Sequence, residues 1–172
     1  MACQKHWIVI ALLALQTACY NKEFNEPGKV EFTRRPTDRV YESDMPRTWA
    51  AVQRVLGKFP IQEARSEASG AKSYLVTDWI PGKSDVLYSG FDRNRVPYSI
   101  RYKMYVYLQS ARGRTKVTIK SVEQYKDDAV TAGVDMNGSL YSWIRTESST
   151  LKEAQLLDDI QKILSDRNFV PQ

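Results

Sequence analysis

Histidine and cysteine are almost absent from this sequence: the one histidine is His6 and the two cysteines are Cys3 and Cys19, so nothing beyond residue 19 carries either. Ser-His-Asp and Cys-His nucleophilic arrangements are thereby excluded from that stretch, as are the common zinc and haem sites built on imidazole or thiolate. No disulfide framework can form within it. Glycine is sparse as well, and the eight residues are scattered without composing a phosphate-cradling loop. No run of apolar residues approaches the roughly 20 that a membrane-spanning helix needs.

Carboxylates are the remaining acid-base groups. Asp127-Asp128, Asp158-Asp159, Asp78 and Asp85 stand out, but adjacent helical carboxylates point apart, and Asp158-Asp159 reads as a solvated helix edge. No pair advertises the separation of about 5–9 Å that a glycosidase needs. Asp127, Asp128 and Asp135 lack the spacing of a calcium-binding EF-hand loop. The sequence therefore points away from an enzyme and implies no cofactor or metal.

What is present begins at the N-terminus. Lys5 supplies one firm positive charge, the apolar stretch from Trp7 to Leu15 follows, and Gln16-Thr17-Ala18-Cys19 closes the segment. This is the layout of a secretory signal peptide over residues 1–18. Thr17-Ala18 directly before Cys19 resembles the lipobox of bacterial lipoproteins, which implies cleavage before the cysteine and a lipid on its sulfur. The alternative is an ordinary secreted protein cut near Ala18. Acylation would consume the one thiol left after cleavage, and several acyl chains, at about 0.8 kcal/mol per buried methylene, would hold the protein at a membrane. Tyr20 rather than Asp after the cysteine implies the outer membrane, facing the periplasm. Removing Lys5 takes the net charge from +5 to +4, a mild excess suited to anionic lipid, glycan or an acidic protein surface, with nucleic acid a poor match.

Residues 19–41 read as the lipidated cysteine and an extended tether, polar and without a hydrophobic period, although Lys29-Val30-Glu31-Phe32-Thr33 alternates well enough for a short strand. The globular domain is expected over 42–172. Ser43-Asp44-Met45-Pro46 supplies a capping side chain followed by proline and signals a helix start, Trp49, Val52, Val55 or Leu56, and Phe59 supply its stripe, and Gly57 and Pro60 its stop. Ile61–Ala64 and Lys72–Ile80 read as strands and the stretch from Lys83 to Val96 as a long loop. Ile100, Tyr102, Met104, Val106 and Leu108 then alternate with Arg101, Lys103, Tyr105, Tyr107 and Gln109, the period of a strand with one face buried. Val117 and Ile119, alternating with Lys116, Thr118 and Lys120, continue it as the second arm of an antiparallel hairpin. After a polar loop from Lys126 to Leu140, Thr150 and Glu153 form a capping-box pattern, and Leu156, Leu157, Ile160, Ile163 and Leu164 form the stripe of a final helix. The expected fold is α+β: an antiparallel sheet of about four strands with two helices packed on one face.

This order resembles the helix-grip domain of BamC-type outer-membrane lipoproteins. The resemblance rests on Trp49, Val52 and Leu56, on Leu75-Val76-Thr77-Asp78-Trp79, on the alternating strand from Ser99 to Gln109, and on Leu156-Leu157-Asp158-Asp159-Ile160. It implies a single helix-grip-like domain and a non-enzymatic accessory or scaffolding role in outer-membrane β-barrel assembly, with assembly subunits as partners. The sequence itself offers a binding surface. Arg101, Lys103, Tyr105 and Tyr107, beside Lys116 and Lys120, would make the outward side of the hairpin basic and aromatic, suited to docking an acidic partner, peptidoglycan or lipopolysaccharide. The same pattern also suits a plain solvent-facing sheet. A rival reading is a periplasmic carrier of a small apolar ligand or lipid, its cavity lined by Trp49, Trp79, Trp143 and Met104.

Overall fold

A computed structural model of the protein describes residues 27–67, 70–90, 94–127 and 142–171. The signal peptide, Cys19 and most of the loop read from Lys126 to Leu140 lie outside the described residues.

Eight strands, all paired antiparallel, form one sheet: β1 Gly28–Lys29, β2 Asp38–Tyr41, β3 Ile61–Ser66, β4 Lys72–Thr77, β5 Ile80–Ser89, β6 Val96–Ala111, β7 Arg114–Asp127 and β8 Ser142–Thr146. Two helices accompany them among the described residues, α1 Met45–Leu56 and α2 Leu151–Ser165. The expected sheet of about four strands is therefore wrong. The helix-grip-like arrangement inferred from it falls with it, because the sheet is the dominant element.

The long hairpin of β6 and β7 is the spine of this sheet, paired continuously from Ile100 opposite Tyr125 to Ala111 opposite Arg114. Each outer edge of the spine is shared by two shorter strands lying end to end. β4 and β5 divide the free edge of β6, and β2 and β8 divide that of β7. β3 and β1 extend the sheet beyond β4 and β5. The strand β5 runs through Pro81 and Gly82 into the stretch from Lys83 that reads in sequence as a long loop. Pro81 sits opposite Arg101 where β5 has no second neighbour, since β1 reaches only Leu87 and Tyr88, so its missing N–H breaks no ladder. Gly82 passes under the ring of Tyr102, where a Cβ would stand 3.1 Å from a ring carbon.

Residues 28–41, the second half of the segment read as a tether, lie along the domain. Gly28 and Lys29 pair with Tyr88 and Leu87, Val30 N–H donates to Val86 O (2.9 Å), and β2 pairs with β7 from Asp38 opposite Thr118 to Tyr41 opposite Thr115.

Both helices pack on one face of the sheet. Asp44 caps α1, its carboxylate accepting from Arg47 N–H at 3.1 Å. Ala51, Val52, Val55 and Leu56 from α1 meet Leu156, Leu157 and Ile160 from α2 over Leu75, Met104, Val106, Leu108, Val117 and Ile119 of the sheet. The hydroxyl of buried Tyr41 donates to Leu157 O at 2.8 Å, tying β2 to α2.

The capping box expected at α2 is not formed. Thr150 adopts a left-handed conformation (φ 63°), and its hydroxyl accepts from Arg35 N–H at 2.6 Å. Ser148 and Ser149 receive the first N–H groups instead, those of Thr150 (3.0 Å) and Leu151 (3.3 Å). Glu153 turns inward to the hydroxyls of Ser121 and Ser148.

Candidate functional site

The sheet has a second face that the helices leave uncovered, and strand alternation decides what it carries. Outward positions are Ser99, Arg101, Lys103, Tyr105, Tyr107 and Gln109 on β6, Lys116 through Lys126 in steps of two on β7, and Trp143 and Arg145 on β8. Six of these are cations (Arg101, Lys103, Lys116, Lys120, Lys126 and Arg145) and none is a carboxylate. Among the described residues the carboxylates of this face are Asp38, Glu63 and Asp78 on the neighbouring strands and their ends, and two of them reach its lysines, Asp38 to Lys116 and Asp78 to Lys103 at 4.0 Å. All six predicted surface residues thus share one face, but they play different parts on it.

Arg101 is the centre of a stack. Its guanidinium carbon lies 4.5 Å from the ring centre of Trp79 and 4.3 Å from that of Trp143, while its Nε donates to Gln124 Oε1 at 2.8 Å. Both tryptophans come from short strands or their ends, one on each side of the spine, so the stack bridges three columns of the sheet. Lys103 is nearly enclosed, its side chain only 13% exposed. Its ammonium donates to Gln62 Oε1 at 2.7 Å and lies 5.3 Å from the centre of the Trp79 ring. Lys116 is paired with Asp38 at 2.9 Å. The freely available charge therefore sits on Lys120, and on Arg145, which the sequence reading did not single out. Both are exposed and neither has a polar partner among the described residues. Tyr105 stands beside Lys120 across the hairpin, and Tyr107 is 44% exposed. The signal for Arg145 was present in the alternation of Trp143 and Arg145, but only the pairing of β8 with β7 puts it on this face.

Because Arg101 is held by two rings, its replacement has a structural cost. Arg101→Ala is expected to lower unfolding stability by about 1–2 kcal/mol. It should also shift tryptophan emission to longer wavelength as Trp79 and Trp143 lose their shared neighbour. Urea titration followed by fluorescence checks both.

A second group of polar residues lies inside, at the start of α2, and went unnoticed in sequence. The inward positions of β7 change from Val117 and Ile119 to Ser121 and Glu123, a change from apolar to polar in the same register. The Glu123 side chain is fully enclosed, and Lys152 Nζ reaches both Glu123 Oε1 (3.1 Å) and Asp85 Oδ1 (3.2 Å). The Ser149 hydroxyl donates to Asp85 Oδ2, and Lys152 Nζ lies 5.6 Å from the centre of the Tyr102 ring. Burial pushes the Glu123 carboxyl above its usual value, and the Lys152 ammonium only partly offsets this. Burial acts in the same sense on Asp85, but the Ser149 hydrogen bond and the Lys152 charge outweigh it and hold that carboxyl low. For Lys152 the cost of burial is exceeded by its two carboxylates, so its pKa rises. A lysine held charged in this way is a fixed cation rather than a proton acceptor, which suits it to joining elements rather than to catalysis.

The other sequence-level candidates are dispersed. Asp158 pairs with Arg39 at 2.8 Å and Asp159 with Lys162 at 3.1 Å, both on the surface of α2. Among the described residues no three His, Cys, Asp or Glu side chains converge as metal ligands. The four side chains suggested for a carrier cavity do not share one: Met104 is packed in the core, Trp49 borders it, and Trp79 and Trp143 are on the opposite face of the sheet. Comparison with protein-family models, with curated proteins and with solved structures gives no match to this chain.

Proposed function

We propose that this protein is a non-enzymatic lipoprotein of the cell envelope, anchored through Cys19, that docks an acidic protein surface on its uncovered sheet face as an accessory subunit of outer-membrane assembly. The observation that carries the reading is the charge of that face, six cations and no carboxylate on the outward positions of β6, β7 and β8. Electrostatic complementarity of this kind speeds encounter and selects against wrong partners. The stacked tryptophans and Tyr105 and Tyr107 supply rigid contact area that costs little side-chain entropy on binding. The link to β-barrel assembly comes from the resemblance of the sequence to BamC-type lipoproteins, and the outer-membrane location from the residues around Cys19.

The test uses the residues whose charge is free. Lys120→Glu combined with Arg145→Glu touches neither the stack nor the core, so circular dichroism and urea unfolding should be unchanged. Crosslinking from outer membranes should recover barrel-assembly subunits with the unaltered protein and several-fold less with the double variant, the difference growing as salt is lowered. Equal recovery by both proteins, or recovery of none of those subunits by either, would refute the docking role. Palmitate labelling lost in Cys19→Ser checks the anchor.

A further inference from the structure

The chain enters the fold at one end of the sheet. Gly28 and Lys29 pair with the last turnward residues of β5, and this is also where β6 begins at Val96. The opposite end carries the Arg112-Gly113 turn between β6 and β7. Along β6 alone, the thirteen residue steps from Val96 to Gln109 separate the two regions by about 43 Å at the rise of a strand.

Several contacts fix the entry point. The Tyr88 ring covers Gly28 so closely that a Cβ there would stand 2.5 Å from two ring carbons. The guanidinium of Arg95 lies over the same ring at 4.4 Å. Beyond Gly28, Lys29 and Arg34 both reach Glu147 (3.6 and 3.3 Å), and Arg35 N–H donates to Thr150. The leash that remains between Cys19 and Gly28 is nine residue steps, which extend to at most about 32 Å. That is shorter than the sheet is long.

The surface around the entry point has the composition of a membrane interface. Val96 is 58% exposed and Val30 40% exposed. Tyr88 is half-buried under Arg95, and two exposed lysines stand near it, Lys29 in its pair with Glu147 and Lys83 opposite Ser99, to whose hydroxyl it donates. Aromatic rings with adjoining cations and a few apolar side chains favour the headgroup region, where the ring and valines meet the acyl boundary and the cations meet phosphate. We propose that this corner, built from Val30, Tyr88, Arg95 and Val96, rests on the lipid headgroups of the membrane that holds Cys19. The inference depends on the lipid anchor of the preceding section. It places the corner as the membrane-facing end of the molecule and the Gln109 end away from the bilayer.

Depth-dependent quenching tests the orientation in the intact, acylated protein. Acylation leaves no free thiol after signal removal, so single reporters can be placed by Val96→Cys and, on the same strand, by Gln109→Cys, each labelled with bimane. The protein is reconstituted into phosphatidylethanolamine and phosphatidylglycerol vesicles containing a headgroup-nitroxide lipid. The Val96→Cys reporter should be quenched several-fold more strongly than the Gln109→Cys reporter. In a Gly28→Val background, which displaces the Tyr88 ring and frees more chain, that difference should collapse. Equal quenching of the two reporters, or stronger quenching at the Gln109 position, overturns the orientation. A difference that survives Gly28→Val overturns the role of the Tyr88 contact. The mass of Cys19 measured on the same sample separates the two readings: an acylated protein with equal quenching refutes the orientation alone, and an unacylated one refutes the anchor on which it depends.

Discussion

Lys152→Met is expected to destabilise the domain by about 3–5 kcal/mol at neutral pH, the cost of leaving an enclosed carboxylate without its cation. Glu123 is the reason the effect is large. Its side chain has no exposure to water, one oxygen is held by Lys152, and the other, Oε2, has no hydrogen-bond partner among the described residues. Methionine keeps most of the volume of the lysine stem, while the charge and its contact with the Tyr102 ring are lost. Acid should reduce the deficit. The folded-state pKa of Glu123 already lies above the usual 4.5, so the folded protein binds this proton more readily than the unfolded chain does. Lowering the pH from the raised value towards 4.5 therefore favours the folded state at this residue. Asp85 works the other way: its folded pKa is held below 3.8, so its contribution is present above 3.8 and is lost as pH falls through the lowered value. Urea denaturation of both proteins at pH 7 and pH 5 should show the gap between them narrowing at pH 5. A gap that is constant or widens would mean that Glu123 is not the group left uncompensated. Glu123→Gln added to Lys152→Met should recover much of the loss, because the double change removes both charges.

The same cluster shows what the sequence could and could not reveal. The β6–β7 spine, the α1 stripe around Val52 and Leu56, and the α2 stripe through Leu156, Leu157 and Ile160 were legible because each repeats one period over three or more turns or alternations. The outward placement of Arg101, Lys103, Tyr105, Tyr107, Lys116 and Lys120 follows from that alternation alone. The shorter strands were not legible. β1 is two residues long, β5 contains Pro81 and Gly82 in its first turnward residues, and β8 holds five residues of mixed character. Such segments become strands because the exposed edges of a long hairpin offer unpaired N–H and C=O groups for them to satisfy, a fact about neighbours and not about the segments. The capping box expected from Thr150 and Glu153 fails for the same reason. Thr150 is drawn instead to Arg35, a residue 115 positions away in the chain, and no local pattern encodes that partner. The Arg101 stack belongs to this class too: its tryptophans come from the two sides of the spine, and only the shared edges bring them together.

Ile160→Ala is the second large effect expected, and it measures how differently the two faces of the sheet contribute. Ile160 has no exposed surface and shares its core with Val52, Val106, Ile119 and Leu157, each at most 1% exposed. Removing its branched end leaves a cavity between α2 and the sheet, with a cost of about 2–5 kcal/mol and a fall in melting temperature on the order of 10 °C. Tyr107→Ala deletes a larger side chain from the opposite face, yet that residue is 44% exposed, and the stability lost there should be within about 1 kcal/mol. Thermal and urea unfolding of the two variants gives the comparison. If Tyr107→Ala proves as costly as Ile160→Ala, the outer face is packed against something in the isolated protein and is not available for docking. A small effect at Tyr107 beside a large one at Ile160 instead means that folding is secured chiefly by the helix-covered face, with the Arg101 stack as the structural part of the other. The aromatic and basic side chains of the other face can then be given to a partner without loss of the fold.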